Sequence, residues 1–200
     1  MRIGIYGGSF DPIHTGHAIV ANFVSQCGVV DEVWLMVSRR NPLKTRDAAA
    51  SEDQRLAMAN LVAGKCRKVS VTDIELQLPS PSYSYDTLLA LKEKYPDKEF
   101  SLIIGSDSLE NFSNWKNYIK IQKEFGVIVY PRPGYPLEGE EPVGMKFLTG
   151  APEFSISSTL IREYIRDGWN YNYFVPTEVA AYIREHNLYV IKKYRNENRQ

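Results

Sequence analysis

Short apolar, β-branched runs alternate along this chain with longer stretches whose apolar positions recur every three or four residues. That alternation predicts βαβ units, an α/β fold around a parallel sheet. Arg2 to Tyr6 reads as the first strand, Thr15 to Gln26 as a helix, and Glu32 to Val37 as the second strand. A polar loop carrying Asn41-Pro42 follows. Ser51 with Gln54 three positions on forms a capping-box pattern, and Leu56, Met58, Ala59, Leu61 and Val62 supply the apolar stripe of a helix reaching Gly64. The third strand begins near Lys68. After a Pro-Ser-Pro turn, Tyr85 to Tyr95 reads as a helix stopped by Pro96, and Phe100 to Ile104 as a fourth strand ended by Gly105. Residues 106 to 124 read as helix in two pieces, and Val127 to Tyr130 as the fifth strand. Residues 131 to 144 hold four prolines, three glycines and three glutamates, a composition that predicts a long loop. A short strand, Lys146 to Leu148, and helices over 157–167 and 177–186 complete the pattern, and the tail from Lys192 is polar. The segment after the loop is short, so the reading is one domain over residues 1–200 with a small C-terminal helical extension.

Composition narrows the function. Lys plus Arg and Asp plus Glu are 24 each in 200 residues, so the formal net charge is zero. No global field draws the chain onto nucleic acid or an acidic membrane, and any phosphate binding has to be local. The expected partners therefore include no nucleic acid and no membrane. Cys27 and Cys66 lack metal-type spacing and read as free thiols of a reducing compartment. The chain runs at once into strand-like residues and has no apolar stretch near the ~20 residues of a membrane span. A soluble, cytoplasmic protein is expected.

The richest segment is Gly7-Gly8-Ser9-Phe10-Asp11-Pro12-Ile13-His14-Thr15-Gly16-His17, which joins the first strand to the first helix. Paired glycines let backbone N–H groups approach a ligand, and the helix start aims its orphan donors and positive dipole end the same way. That combination suits phosphate. It is neither the dinucleotide fingerprint nor the Walker loop, and two histidines stand where cationic help would be needed. A zinc pair requires a third ligand, and the remaining histidine, His186, has no acidic motif around it, so no protein-held metal is expected. Near the end of the chain, Ile156-Ser157-Ser158-Thr159-Leu160-Ile161-Arg162 puts hydroxyls and free N–H groups at a helix start with an arginine one turn in, which is a second anion site.

The first of these segments resembles the G-[GS]-S-F-D-P-x-H-x-G-H signature of the nucleotidylyltransferase superfamily, and the second resembles its I-S-S-T-x-I-R motif. Gly105-Ser106-Asp107-Ser108-Leu109-Glu110-Asn111-Phe112-Ser113-Asn114-Trp115 is similar to the G-x-D-x-x-x-x-F-x-x-W segment of bacterial nicotinate-nucleotide adenylyltransferases. Asn41-Pro42-Leu43-Lys44, Tyr85-Asp86-Thr87-Leu88 and Arg132-Pro133-Gly134 match as well, in order along essentially the whole chain. The pantetheine-phosphate branch has a single glycine before Ser-Phe-Asp-Pro and Thr in place of His14, and this chain departs from it at both points.

The resemblance implies a doubly wound, Rossmann-like sheet of order 3-2-1-4-5, with ligands beyond the carboxyl ends of strands one and four, where the order reverses. It implies adenylyl transfer from ATP to nicotinate mononucleotide with pyrophosphate as leaving group, a step of NAD biosynthesis. His14, His17 and Arg162 are expected at the phosphates and transition state. Gly8, Ser9 and Phe10, with Gly105, Asp107, Ser157 and Ser158, are expected to hold ATP. Lys44, Thr87, Trp115 and Lys116 are expected at the mononucleotide: Lys44 on its phosphate, Trp115 stacked on the pyridine, Thr87 and the Lys116 N–H on its carboxylate. Mg²⁺ is expected to accompany ATP. Two other readings stay open at this point: another phosphorylated acceptor, nicotinamide mononucleotide or phosphopantetheine, and a nucleotide-binding module without turnover. Oligomeric state is open too, a homo-oligomer included.

Overall fold

A computed structural model describes residues 1–39 and 50–190. Its strands are β1 (Arg2–Gly8), β2 (Glu32–Val37), β3 (Val69–Thr72), β4 (Glu99–Gly105), β5 (Val127–Tyr130) and β6 (Met145–Phe147). The helices are α1 (Thr15–Gln26), α2 (Glu52–Ala63), α3 (Ile74–Gln77), α4 (Ser84–Lys94), α5 (Ser106–Leu109), α6 (Tyr118–Lys120), α7 (Ser158–Asp167) and α8 (Thr177–Glu185). The sheet order is β3-β2-β1-β4-β5-β6, with every pairing parallel.

Strand alternation explains the two-sided burial. Ile3, Ile5, Trp34, Met36, Leu102, Ile104 and Val129 face one side, where Ile74, Tyr85, Leu88, Leu91, Phe112 and Ile121 cover them. Tyr6, Val33, Leu35, Val37, Ile103, Ile128 and Tyr130 face the other, covered by residues of α1, α2, α7 and α8. Both faces of a parallel sheet must be buried this way, which is why its strands read as nearly continuous apolar runs. The last two helices contribute Ile161, Ile165, Val179 and Ile183 to the same core as Val20 of α1 and Met58 of α2. Among the described residues no helix is long and apolar enough to cross a membrane.

Two stretches differ from the pattern reading. Residues 106 to 125 break into α5, a 3₁₀ turn (Phe112–Asn114), α6 and a π-type turn (Ile121–Phe125) rather than two helices. Leu109, Phe112, Trp115, Tyr118 and Ile121 recur every third residue, and Asn111, Asn114 and Asn117 favour turns over helix interiors; Asn117 takes the left-handed conformation at φ 60°. The short α3 was also not expected. Arg39 stabilises it by donating from its guanidinium to the carbonyls of Leu76 at 2.6 Å and Leu78 at 2.8 Å, contacts made across 37 and 39 residues that no local pattern reveals.

Candidate active site

The carboxyl ends of β1 and β4 open into two adjoining cavities, of about 530 and 670 Å³. The first is walled by Gly7, Gly8, Met36, Glu75, Ser84, Gly105, Trp115 and Lys116, among others. The second is walled by Ser9, His14, Ser157, Ser158, Arg162 and their neighbours. Among the described residues three line both: His17, Asp107 and Arg132.

The two histidines are built into the start of α1. His14 is the N-cap, and its Nδ1 accepts from the His17 N–H at 3.3 Å. The His17 Nδ1 accepts in return from the His14 N–H at 3.2 Å, a capping box made of two imidazoles with ring centroids 3.6 Å apart. A nitrogen that accepts a backbone N–H carries no proton, so each neutral ring holds its proton on Nε2. Burial pulls the His14 pKa down to about 3, with a smaller push from Arg132. Burial first, then the neighbouring His14 imidazole and the Arg132 charge, holds His17 well below the ordinary histidine range. The histidines are thus neutral N–H donors in this structure, which corrects the expectation that they supply cationic charge. The side chain of Phe10, 1% exposed, supports His17 edge-on at 5.0 Å rather than facing either cavity.

Positive charge comes instead from Arg132 and Arg162. Arg132 follows β5, and its N–H donates to the Ser106 hydroxyl at 2.8 Å. Its Nε lies 3.8 Å from Asp107 Oδ1. Gly105 makes that approach possible, since a Cβ there would stand 3.0 Å from Arg132 Nε and collide with the Asp107 carboxylate. Arg162 Nη1 donates to the Asp11 carbonyl, and its Nη2 donates to the Thr159 hydroxyl at 3.0 Å. Ser157 caps α7, its hydroxyl oxygen accepting from the Leu160 N–H. The Ser158 hydroxyl donates to the Pro12 carbonyl at 2.9 Å. That proton is committed, so Ser158 has its backbone N–H, at the first position of α7, left to offer an anion.

The acceptor-side expectations fare unevenly. Trp115 and Lys116 line the first cavity with Gly105 and Asp107. Lys116 Nζ lies 3.2 Å from Asp86 and 4.2 Å above the Tyr83 ring, which ties this segment to the start of α4. Thr87 is not brought there. It is 1% exposed, and its hydroxyl donates to the Tyr83 carbonyl at 3.2 Å, one turn back along α4. The residue that faces the cavity is Ser84, at the first position of a helix whose N-cap, Tyr83, makes no side-chain cap. Lys44 lies outside the described residues. Two carboxylates, those of Glu75 and Asp107, also line the first cavity. The Glu75 carboxylate accepts from the Arg39 N–H at 3.1 Å, and burial raises its pKa, against lowering by hydrogen bonds from Arg39 and Ser82. Sequence reasoning gave no role to Arg132, although it lies in the matched Arg132-Pro133-Gly134 segment, or to Ser84, which directly precedes Tyr85-Asp86-Thr87-Leu88.

Among the described residues no group of three or more His, Cys, Asp and Glu is placed to hold a metal ion. Asp107 is the one carboxylate among the described residues of the second cavity. A single carboxylate beside anion-binding groups suits a divalent cation that arrives on a substrate's phosphates, not one caged by protein.

Comparison with known proteins shows the family. The cytidylyltransferase-like family model matches residues 5–164. A protein of Flavobacterium johnsoniae named "Probable nicotinate-nucleotide adenylyltransferase" is 39% identical over 196 residues, covering 94% of this chain and 99% of its own. Proteins of the same name from Bacteroides thetaiotaomicron and Bacillus licheniformis are 40% and 35% identical, with 93% and 94% of this chain covered and 92% and 98% of theirs. The solved structure of Plasmodium falciparum nicotinic acid mononucleotide adenylyltransferase complexed with NaAD superposes with a TM-score of 0.75 at 23% identity, over 94% of this chain and 97% of that one, a likeness of fold. A match over most of the chain, together with relatives of this identity and coverage, places the chain in the cytidylyltransferase-like nucleotidyltransferases, among the nicotinate-nucleotide adenylyltransferases.

Proposed function

We propose that the two adjoining cavities hold the two substrates of adenylyl transfer from ATP to nicotinate mononucleotide, with the reaction at their junction. The observation that carries this reading is the sharing of His17, Asp107 and Arg132 by both cavities. A 5′-phosphate oxygen of the mononucleotide forms a bond to the α-phosphorus of ATP as the bond to the bridging oxygen of pyrophosphate breaks. The products are nicotinate adenine dinucleotide and pyrophosphate. The attacking oxygen is already an anion, so no protein nucleophile is needed, and catalysis consists of alignment and charge stabilisation.

His17 Nε2–H and the Arg132 guanidinium serve the α-phosphate. His14 Nε2–H, the Ser9 backbone, the N–H groups opening α7 and Arg162 serve the β- and γ-phosphates. A neutral N–H donor fixed by a buried capping box needs no reorganisation as charge grows, which is the condition for strong transition-state stabilisation. Gly105 and Asp107 take the adenosine ribose. Trp115 stacks on the pyridine, and the start of α4 at Ser84, with the Lys116 N–H, receives its carboxylate. A divalent cation, which we assign as Mg²⁺, would accompany ATP; Asp107 is the carboxylate lining the second cavity that could hold it, and the ion would supply neutralisation of phosphate charge. We place the reaction in the cytoplasm.

The test is incubation of the protein with ATP and Mg²⁺ and, in parallel, nicotinate mononucleotide, nicotinamide mononucleotide or phosphopantetheine. Pyrophosphate release should be fastest with nicotinate mononucleotide, with the dinucleotide identified by chromatography. Faster release with phosphopantetheine would reassign the acceptor, and none with any acceptor would leave a binding module.

A further inference from the structure

The second cavity depends on a turn that contributes almost none of its wall. Arg162 is held by the carbonyl of Asp11 and Ser158 by the carbonyl of Pro12, so the orientation of that turn sets where two of the phosphate-binding groups point. The turn is held in its own right from a distant part of the chain. The Tyr189 hydroxyl donates to Asp11 Oδ1 at 2.8 Å across 178 residues, and the same oxygen accepts the Ala50 N–H at 3.0 Å.

Both partners sit on unusual backbone. Phe10, directly before Asp11, has φ 47°, and Tyr189 itself has φ 64° two residues after Asn187 at φ 49°. Bulky residues seldom adopt the left-handed region, which carries a local free-energy cost and persists where surrounding contacts hold it. The left-handed turn after α8 is what folds Tyr189 back under the first helix. Its ring is 4% exposed in the core that α1, α2, α7 and α8 share, and its hydroxyl meets a carboxylate. Burial and the neighbouring Asp11 both push the Tyr189 pKa upward, so the hydroxyl keeps its proton and remains a donor.

We infer that Tyr189 is a positioning residue for the triphosphate: its hydroxyl holds Asp11, and through the Asp11 and Pro12 carbonyls it sets the aim of Arg162 and Ser158. It rests on the proposed use of the second cavity for ATP phosphates. Tyr189 touches neither cavity and acts only through the turn. A side chain that served packing alone would use its ring, and the hydroxyl would be dispensable.

Tyr189→Phe separates the two roles because it keeps the ring and removes the hydrogen bond. Calorimetric titration with Mg-ATP, without acceptor, should show binding weakened about tenfold, and KM for ATP should rise with it, while KM for nicotinate mononucleotide stays within about twofold. Asp11→Ala should weaken ATP to a similar extent, and the double variant no further, because the hydroxyl then has nothing to hold. Asp11→Leu, which also removes the acceptor, replaces it if the alanine variant does not fold. An unchanged Kd for ATP in Tyr189→Phe overturns the inference, as does a further tenfold loss from Tyr189→Phe on the Asp11→Ala background. A fall in kcat alone, with both KM values and the Kd unchanged, is the mark of lost folded protein and also overturns it. Calorimetry needs no turnover, so a wild-type protein that binds ATP without transferring it would remove the proposed function while still reporting on Tyr189. A wild-type protein that does not bind ATP would end both.

Discussion

His14 and His17 cap one another: each Nδ1 accepts the other's backbone N–H, at 3.3 and 3.2 Å. One pair of bonds therefore does three things. It satisfies orphan donors at the start of α1, fixes both tautomers, and aims both Nε2–H groups away from the helix. The catalytic reading of the Gly-Ser-Phe-Asp-Pro turn rests on this pairing more than on histidine charge.

His17→Ala should lower kcat by at least two orders of magnitude. A preorganised donor facing transition-state charge is worth about 3–4 kcal/mol, and His17 stands where the two cavities meet. Loss of half the capping box should lower stability by only about 1 kcal/mol. Steady-state kinetics alongside thermal unfolding checks both, and turnover within threefold of wild type would remove His17 from the junction.

The histidines also predict an acid-side loss of stability. Burial depresses the His14 pKa from 6.5 to about 3 and that of His17 well below 6.5. A base with a depressed folded-state pKa binds fewer protons when folded, so its contribution is complete above about pH 6.5 and drains as pH falls toward 3. His14→Asn keeps a side-chain acceptor at the N-cap and removes one titration. Between pH 6 and 4 the slope of unfolding free energy against pH should then drop by up to about 1.4 kcal/mol per unit. Urea unfolding at pH 6, 5 and 4 measures this, and an unchanged slope would mean that His14 titrates normally in the folded protein.

What could be read from residues alone divides by distance along the chain. The glycine turn, the histidine pair and the start of α7 are legible because each is a local device, with its cap, donors and dipole inside a dozen residues. The sheet order beyond β5, where β6 pairs Lys146 with Ile128, and the short α3 depend on partners far away in sequence. Thr87 shows the same limit at one residue. It sits three positions after Ser84, on nearly the same side of α4, but one turn deeper: it is buried and its hydroxyl is spent on the Tyr83 carbonyl, while Ser84 lines the cavity. Arg132 lay in a recognised segment, but only the meeting of β5 with β4 puts it beside Asp107, 25 residues earlier in the chain.

Arg132→Lys should lower kcat about tenfold or more with both KM values within about threefold. Lysine keeps the charge but loses the planar fork that can hold two phosphate oxygens at once, and the residue serves both cavities. Stopped-time assays of pyrophosphate release with each substrate varied in turn measure the three constants. A defect confined to KM for ATP would place Arg132 on the triphosphate alone.

The remaining prediction concerns the choice between acid and amide mononucleotides. A pyridine carboxylate only accepts hydrogen bonds, whereas a carboxamide brings an NH₂ that needs an acceptor. The Thr87 hydroxyl is spent on the Tyr83 carbonyl, so the burden falls on the first turn of α4. That turn presents backbone N–H donors and a positive dipole end at Ser84, with no side-chain cap competing for them. Against a row of donors, the amide leaves its own donor unmatched at a cost of about 1–3 kcal/mol. Glu75 and Asp107 are the carboxylates of this cavity that could soften the penalty, but Glu75 already accepts from the Arg39 N–H and is engaged by Ser82, and Asp107 faces Arg132 Nε at 3.8 Å. We therefore expect kcat/KM for nicotinate mononucleotide to exceed that for the nicotinamide form by at least about tenfold, one factor of ten for each 1.4 kcal/mol. Ser84→Ala should leave the ratio nearly unchanged, because it is the backbone N–H that counts, and Trp115→Ala should weaken both substrates by a similar factor, because stacking does not sense the substituent. A Ser84→Ala variant that loses the preference would transfer the selection to the hydroxyl, and equal efficiency on the two mononucleotides in the wild-type enzyme would remove the helix-start argument altogether.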